Sequence, residues 1–345
     1  MRPRLLVNAK WRTQPRISGV QRYASGLAEA IALRDLDIDF AQPEHAGRLR
    51  GMLWEQRTLP RIAAGYDSLL CPANMAPTRL DERTRLLVVL HCLRFHVHPS
   101  SYSASFVRWY ERMVPRIIER ANTVFTVSLA QQAEIEHVYS HAIGKVQVLP
   151  PGLDPAFSPF HPRHSQVPAG RYLACLSTPA PAKNLAMLLR AYASCINPLP
   201  LVLVGVDDRQ ADILCPASAR GSIHPLGYIS DPVQVASILS HADALLAPSK
   251  YESFGLPCLE SMGCATPVVA SDLPAHREVC ADAAIFVDPD HPDAWASAIE
   301  QVTSDSGLRR SLSLAGRERA RAYRWSSSAK ILEDAVLAPQ QAIGR

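Results

Sequence analysis

Apolar residues along this chain come in short dense runs rather than in long stripes. In the second half, Arg171–Ser177, Leu201–Gly205, Ile223–Ile229, Ala244–Ala247, Pro267–Ser271 and Ala284–Val287 are each apolar and of strand length. Helical patterns lie between or after them at Lys183–Cys195, Val233–Ser240 and Leu256–Cys264, and two more, Asp293–Thr303 and Gly307–Tyr323, close the region. Runs without polar alternation suit strands covered on both faces, and their alternation with helices predicts a parallel, doubly wound sheet.

The first half repeats the scheme more loosely. Arg4–Asn8, Asp37–Phe40, Leu86–His91, Asn122–Ser128 and Val146–Leu149 read as strands, and Val20–Leu33, Ser105–Arg120 and Leu129–Tyr139 as helices. Between the halves, Pro150–Gly170 holds prolines at 150, 151, 155, 159, 162 and 168 and has no periodicity, so it reads as a linker. A chain of 345 residues, 48% hydrophobic, is long for one open sheet, so two domains facing a cleft are expected. The fold class is therefore α/β, with two Rossmann-like doubly wound domains.

Composition narrows the functions. The longest apolar runs, Leu86–Leu90 and Leu199–Val204, are strand-sized, and the run in Met1–Ala9 is far too short for a signal peptide. No membrane span is expected. The eight cysteines are scattered, with no CxxC pair and no zinc spacing, which predicts small buried apolar residues in a reducing, cytoplasmic compartment. Residues 1–150 carry 20 Lys and Arg against 13 Asp and Glu, a charge of +7, which leaves −3 for the remainder of a chain at +4. A basic first half suits an acidic partner, although random solvated charge explains it equally well.

Within it, Ser105–Arg120 mixes Trp109, Tyr110, Met113 and Ile117 with Arg108, Arg112, Arg116 and Arg120. Such a stripe suits peripheral attachment to anionic lipid on the inner face of the membrane, and it equally suits a core-packed helix with a solvated basic face. No nucleic-acid-binding module is visible, so nucleic acid is not an expected partner.

The densest chemistry lies in Pro248–Ser271, PSKYESFGLPCLESMGCATPVVAS. A strand ends near Ala247, a turn carries Glu252, Ser253 and Phe254, and Gly255 and Pro257 open a helix. The first amides of that helix have no internal partner, and with the helix dipole they make a site for a diphosphate. Glu260, about a turn into the helix, could accept from two ribose hydroxyls. An isolated pair of glutamates would more often be dipole compensation and solvated charge; the strand, Glu, Gly, Pro and helix sequence favours the functional reading.

This segment resembles the E-x7-E signature of retaining glycosyltransferases of family four, which have the GT-B fold. Further pieces match in order: Ser18-Gly19-Val20-Gln21-Arg22-Tyr23, His91 after a buried strand, Thr126-Val127-Ser128, Pro150-Pro151-Gly152-Leu153-Asp154, Lys183-Asn184, Leu226-Gly227-Tyr228-Ile229 and Trp325. The resemblance implies a domain over 1–155 joined by a returning helix over 325–345, and a nucleotide-sugar domain over 170–324. It implies that Lys183 stabilises the leaving diphosphate in place of a metal, so that no cofactor is needed. Glu252 would bind donor-sugar hydroxyls and Glu260 the ribose. The backbone of Phe254, Gly255 and Leu256, beside Ser253, would hold phosphate and sugar, and Tyr228 and Ile229 would flank the base. Gly19 would admit the diphosphate or the acceptor to a loop of the first domain.

His91 would sit by the anomeric centre. A histidine closing an apolar strand is otherwise as readily structural. The family often has Arg before the Lys-Asn pair where this chain has Ala182; Arg16 and Arg22 are candidate substitutes for acceptor or phosphate contacts. The family often has Asp after the histidine where this chain has Cys92.

Asp35, Asp37 and Asp39, and Asp288-Pro289-Asp290, are acidic by letter but read as edge or turn residues rather than metal ligands. The resemblance implies transfer of a hexose with retention, from a nucleotide-diphosphate sugar to a hydroxyl of a glycan or lipid-linked acceptor. The Ser-Gly-Val-Gln-Arg-Tyr opening resembles mannosyltransferases of bacterial surface polysaccharide, which points to GDP-mannose. A UDP-sugar transferase or epimerase of the same fold stays open, as does a non-catalytic sugar-nucleotide-binding scaffold.

Overall fold

The computed structural model describes residues 2–14, 17–44 and 47–338. Those within Met1–Gly152 and Arg324–Arg345 form one compact unit, and Leu153–Tyr323 forms another.

The first unit is built on six parallel strands: β1 (Arg4–Asn8), β2 (Asp37–Ala41), β3 (Ser68–Cys71), β4 (Arg85–Val89), β5 (Thr123–Thr126) and β6 (Val146–Val148), in the order β2-β1-β3-β4-β5-β6. Its helices are α1 (Gly19–Ala32), α2 (Arg48–Leu53), α3 (Leu59–Ala63), α4 (Arg94–Val97), α5 (Ala104–Arg120) and α6 (Leu129–Val138), with a π-helical turn, Trp54–Thr58, between α2 and α3. The inner strands are apolar on both faces because helices cover both, and Leu69, Leu86, Val88 and Ile117 are part of the packed core. Serine hydroxyls cap helix starts: Ser128 Oγ accepts from Gln131 N at 3.0 Å to cap α6, and Ser103 does the same for α5.

Edge strand β2 and the turn before it carry the alternating acids. Arg2 pairs with Asp35 at 2.7 Å, Arg4 reaches Asp37 at 3.4 Å, and Tyr66 donates to Asp39. The C-terminal helix, Trp325–Leu337, packs in this unit against α1. Trp325 leaves no room for side chains at two glycines: a Cβ at Gly26 would lie 2.5 Å from its ring, and one at Gly152 would lie 2.2 Å from its backbone nitrogen. Ser328 Oγ donates to Pro150 O, and Arg34 pairs with Glu333.

The second unit has strands β7 (Leu173–Leu176), β8 (Leu201–Val204), β9 (Ile223–Pro225), β10 (Ala244–Ala247), β11 (Val268–Ser271) and β12 (Ala284–Val287), all parallel, in the order β12-β11-β10-β7-β8-β9. Helices α7 (Leu185–Ser194), α8 (Asp208–Leu214), α9 (Pro232–Leu239), α10 (Leu256–Gly263), α11 (Pro274–Cys280), α12 (Pro292–Ser304) and α13 (Ser306–Ala320) complete it. Its core gathers Leu173, Tyr192, Leu201, Leu246 and Trp295, all fully buried.

The expected pair of doubly wound parallel sheets is thus observed, with several local differences. The strand expected over Ile223–Ile229 stops at Pro225. Gly227, at φ +67°, turns its N–H to Val206 O and its carbonyl to Gly205 N, which draws the chain out of the sheet. Strand β3 and helices α2, α3, α8 and α11 were not legible, being four to seven residues long. All eight cysteines are free thiols; Cys92 is partly exposed and the other seven are buried. No helix among the described residues is long and apolar enough to cross a membrane.

Candidate active site

In open parallel sheets the carboxyl ends of the strands face the ligand. In the second unit, those ends bear the Ser177–Lys183 loop after β7, the Pro248–Gly255 turn after β10, Asp272 after β11 and Asp288–Asp290 after β12.

The turn after β10 is held from beneath. Gly255 caps α10 at φ +103°, ψ 48°, a conformation that side chains disfavour. A Cβ there would lie 2.9 Å from Cδ2 of His276. His276 on α11 is 1% exposed, and its Nδ1 lies 2.9 Å from the carbonyl oxygen of Ser271. A carbonyl only accepts, so Nδ1 carries the proton and Nε2 the lone pair. Burial pushes the pKa of His276 down, with the nearby Glu252 carboxylate opposing, so the ring is a neutral floor for the glycine turn. The first turn of α10 has no acidic residue and has Pro257 near its start. The amides of Gly255 and Leu256 thus open the positive end of a helix dipole whose own first turn carries no acidic side chain.

Three side chains converge beside this turn. Lys183 ends a tight 3-10 turn, Pro181–Lys183, and Asn184 follows in the left-handed region at φ 55°. The Lys183 ammonium pairs with Oε1 of Glu252, which also accepts from Ser249 Oγ at 2.8 Å. The structure thus brings Lys183 and Glu252 together, both largely sheltered from water. Ser249, 5% exposed, is a member of this cluster that the sequence did not single out.

Ser253 is half-buried and Phe254 fully buried; its ring stands edge-on to Tyr323 at 5.4 Å. Leu256 is the first residue of α10 and Glu260 lies one turn further, 3% exposed. Tyr228, 54% exposed, and Ile229 lie on the loop after β9, at the far edge of the sheet from β12. In the segment before Lys183, Ala182 is buried, and its carbonyl oxygen accepts from Lys250 N at 2.8 Å.

In the first unit, His91 follows β4 and is 5% exposed. Its backbone N–H donates to Asn74 Oδ1 at 2.7 Å, and its Nε2 lies 2.8 Å from Pro72 O. Nε2 therefore carries the proton and Nδ1 is the acceptor. Burial takes its pKa down to about 4, with the Pro72 bond opposing only weakly, so the ring is neutral at pH 7. Tyr23 stands edge-on to it at 4.7 Å and donates to Leu149 O. A backbone carbonyl thus aims the His91 ring and fixes its tautomer. Gly19 is the first residue of α1, capped by the reciprocal Ser18–Gln21 pair, and Arg22 lies on the same helix. Arg16 lies outside the described residues.

A second polar cluster in this unit was not legible. Asn8, at the end of β1, donates to Oε1 of Glu55 at 2.8 Å, and Lys10 pairs with Oε2 at 2.7 Å. Glu55 is 3% exposed and rides on the π-helical turn. The sequence offered only an Asn closing an apolar run, since Glu55 lies where no periodic element was assigned.

The Arg108, Arg112 and Arg116 side chains are exposed on α5, but its apolar residues are not available to lipid. Met113 and Ile117 are buried, and Trp109 and Tyr110 pack against the core. Arg120 also turns inward, donating to the carbonyls of Leu80, Asp81 and Thr84. The mixed stripe read from the sequence is thus a core-packed helix with a basic outer edge.

Residues 161–319 match the family described as glycosyl transferases group 1. Among curated relatives, an O-antigen chain mannosyltransferase B of Escherichia coli is 27% identical over 74% of this chain and 70% of its own length. A D-inositol 3-phosphate glycosyltransferase of Kineococcus radiotolerans is 28% identical over 62% of this chain; the match spans 57% of that relative's length. Among solved structures, a sucrose-phosphate synthase from Thermosynechococcus elongatus superposes with a TM-score of 0.76 over 97% of this chain and 98% of its own, at 22% identity. The last likeness speaks for the fold, which is GT-B.

Proposed function

We propose that the chain, whose residues 161–319 match the group 1 glycosyltransferases, transfers a hexose, with retention, from a nucleotide-diphosphate sugar to a hydroxyl acceptor. The supporting observation is the convergence of Lys183, Glu252 and Ser249 beside the Gly255 turn. The α10 amides and Lys183 would hold the diphosphate and stabilise the charge that develops on it as it leaves. That is preorganised electrostatic catalysis, and it needs no metal ion. Glu252 would bind a sugar hydroxyl, Glu260 the ribose, and Tyr228 and Ile229 would flank the base. GDP-mannose is the proposed donor. The Ser18–Tyr23 opening and the E. coli relative, a mannosyltransferase by name, support it. The acceptor is a glycan or lipid-linked saccharide of a bacterial surface polysaccharide, and the reaction runs in the cytoplasm.

The three arginines of α5 would hold the protein loosely to anionic headgroups at the inner face of the membrane. With the apolar residues in the core, this contact is electrostatic alone.

The test is release of free nucleotide from GDP-mannose, against UDP-sugars, by the whole chain supplied with a membrane extract as acceptor. GDP-mannose should turn over fastest, EDTA should not slow it, and Glu252→Gln should lower turnover about 100-fold. Full turnover by the Gln variant would remove Glu252 from the reaction; preference for a UDP-sugar would overturn the donor assignment.

A further inference from the structure

The loops after β7, β10 and β12 are stitched together. Lys250 N donates to Ala182 O at 2.8 Å, and Asn184 Nδ2 donates to Pro289 O at 2.7 Å. One hydrogen bond therefore fixes two lysines near each other: Lys183, the neighbour of Ala182, and Lys250, its bonding partner. Each ammonium rests on a carboxylate of another loop, Lys183 on Glu252 and Lys250 on Asp290.

The two pairs differ in exposure. The Lys183 and Glu252 side chains are 20% and 11% exposed, whereas those of Lys250 and Asp290 are 42% and 67% exposed. A pair as wet as the second contributes little to stability and is readily exchanged. A nucleoside diphosphate carries roughly two to three negative charges at neutral pH. One ammonium and the start of α10, worth about half a charge, leave roughly half to one and a half of them uncompensated. Lys250 is the single basic residue of the Pro248–Gly255 turn.

Building on the donor site proposed above, we propose that Lys250 is the second diphosphate cation. It leaves Asp290 for a phosphate oxygen when the donor binds, and Asp290 is its resting partner. Lys183 and Lys250 then grip the diphosphate from the two sides of the Ala182 carbonyl.

Calorimetric titration of the whole chain with inorganic pyrophosphate, with GDP, and with guanosine tests this. Lys250→Ala should weaken pyrophosphate and GDP about 10-fold each, the loss of one charge-assisted hydrogen bond, and leave guanosine unchanged. Asp290→Asn should tighten pyrophosphate, because it removes the competitor for the ammonium. Lys250→Arg should keep binding near the parent's, because it returns a cation to the same turn. If Lys250→Ala binds pyrophosphate like the parent while Lys183→Ala does not, Lys250 has no such role and the donor site stands. If neither substitution alters binding, the donor-site reading fails with it. Weaker binding by Asp290→Asn would make the pair a structural one and overturn the proposal.

Discussion

Replacing Gly255 by alanine should open the start of α10 by an amount that the structure sets in two parts. The first is conformational: at φ +103°, ψ 48° a side chain meets its own backbone, at about 1–2 kcal/mol. The second is steric. The new Cβ would lie 2.9 Å from Cδ2 of His276, and the ring has nowhere to go, being 1% exposed and tied to Ser271 O. Overpacking of that kind costs about 1–3 kcal/mol. Together they predict about 2–5 kcal/mol, concentrated in one turn.

Hydrogen exchange of the peptide spanning 253–264 reads this locally. Protection should fall roughly 30-fold or more, with pyrophosphate affinity falling alongside. The two parts separate in a double-mutant cycle with His276→Ala. Removing the ring relieves the steric share and leaves the conformational share, so the coupling should be about 1–3 kcal/mol. Unchanged protection in Gly255→Ala, or additivity of the two substitutions, would refute the view that His276 forms the floor of this turn.

Two further outcomes follow from the first unit. His91 titrates at about 4 in the fold against 6.5 when exposed, so the unfolded chain takes the proton first. Stability is then complete above about pH 6.5 and is lost as pH falls toward 4, by about 3 kcal/mol in all. His91→Gln keeps a donor toward Pro72 without a titrating group; exchange protection of β4 should lose that acid slope, and an unchanged slope would exclude His91 as its source. Reversing Arg108, Arg112 and Arg116 to Glu should release the protein from phosphatidylglycerol vesicles and leave it indifferent to phosphatidylcholine. At about 1 kcal/mol per arginine near the surface, the loss should be large in low salt and slight in high salt. Equal sedimentation of parent and variant would sink the headgroup contact.

The sheets were readable because buried parallel strands must be apolar on both faces, and runs such as LLVV at β4 and LVLV at β8 admit no other use at that length. The turn after β10 was readable for a different reason. Gly255 and Pro257 constrain the backbone by themselves, so their positions carry geometry without knowledge of neighbours. What escaped depends on contacts distant in sequence. His276 lies beneath Gly255 only because β11 runs beside β10, and Lys183 joins Ser249 on Glu252 only because β7 does. Glu55 reads as an ordinary surface glutamate until the π-helical turn points it at Asn8 and Lys10. The α5 stripe left two readings open that only packing could separate. Arginines every four residues locate the solvent edge of a helix, but the aromatic residues beside them belonged to the core.

The ion pair between Lys183 and Glu252 gives the proposed donor site a resting state, and that fixes the sign of an effect that burial alone would leave open. A diphosphate must draw the ammonium away from the carboxylate, so part of the attraction between Lys183 and phosphate is offset by the pair it replaces. Glu252→Gln removes that competitor and leaves Lys183 a sheltered cation without its counter-charge. Bare pyrophosphate should therefore bind more tightly, by about 1–2 kcal/mol, or roughly 5- to 30-fold. Turnover moves the other way, because the carboxylate also loses its proposed hold on the sugar. An ordinary structural pair would weaken binding and turnover together, since breaking it would loosen both loops. Calorimetry with pyrophosphate beside a turnover assay on the same preparation separates the two. Tighter binding with slower transfer supports a carboxylate that parks the lysine and then serves the sugar, and a parallel fall in both reduces Glu252 to a brace.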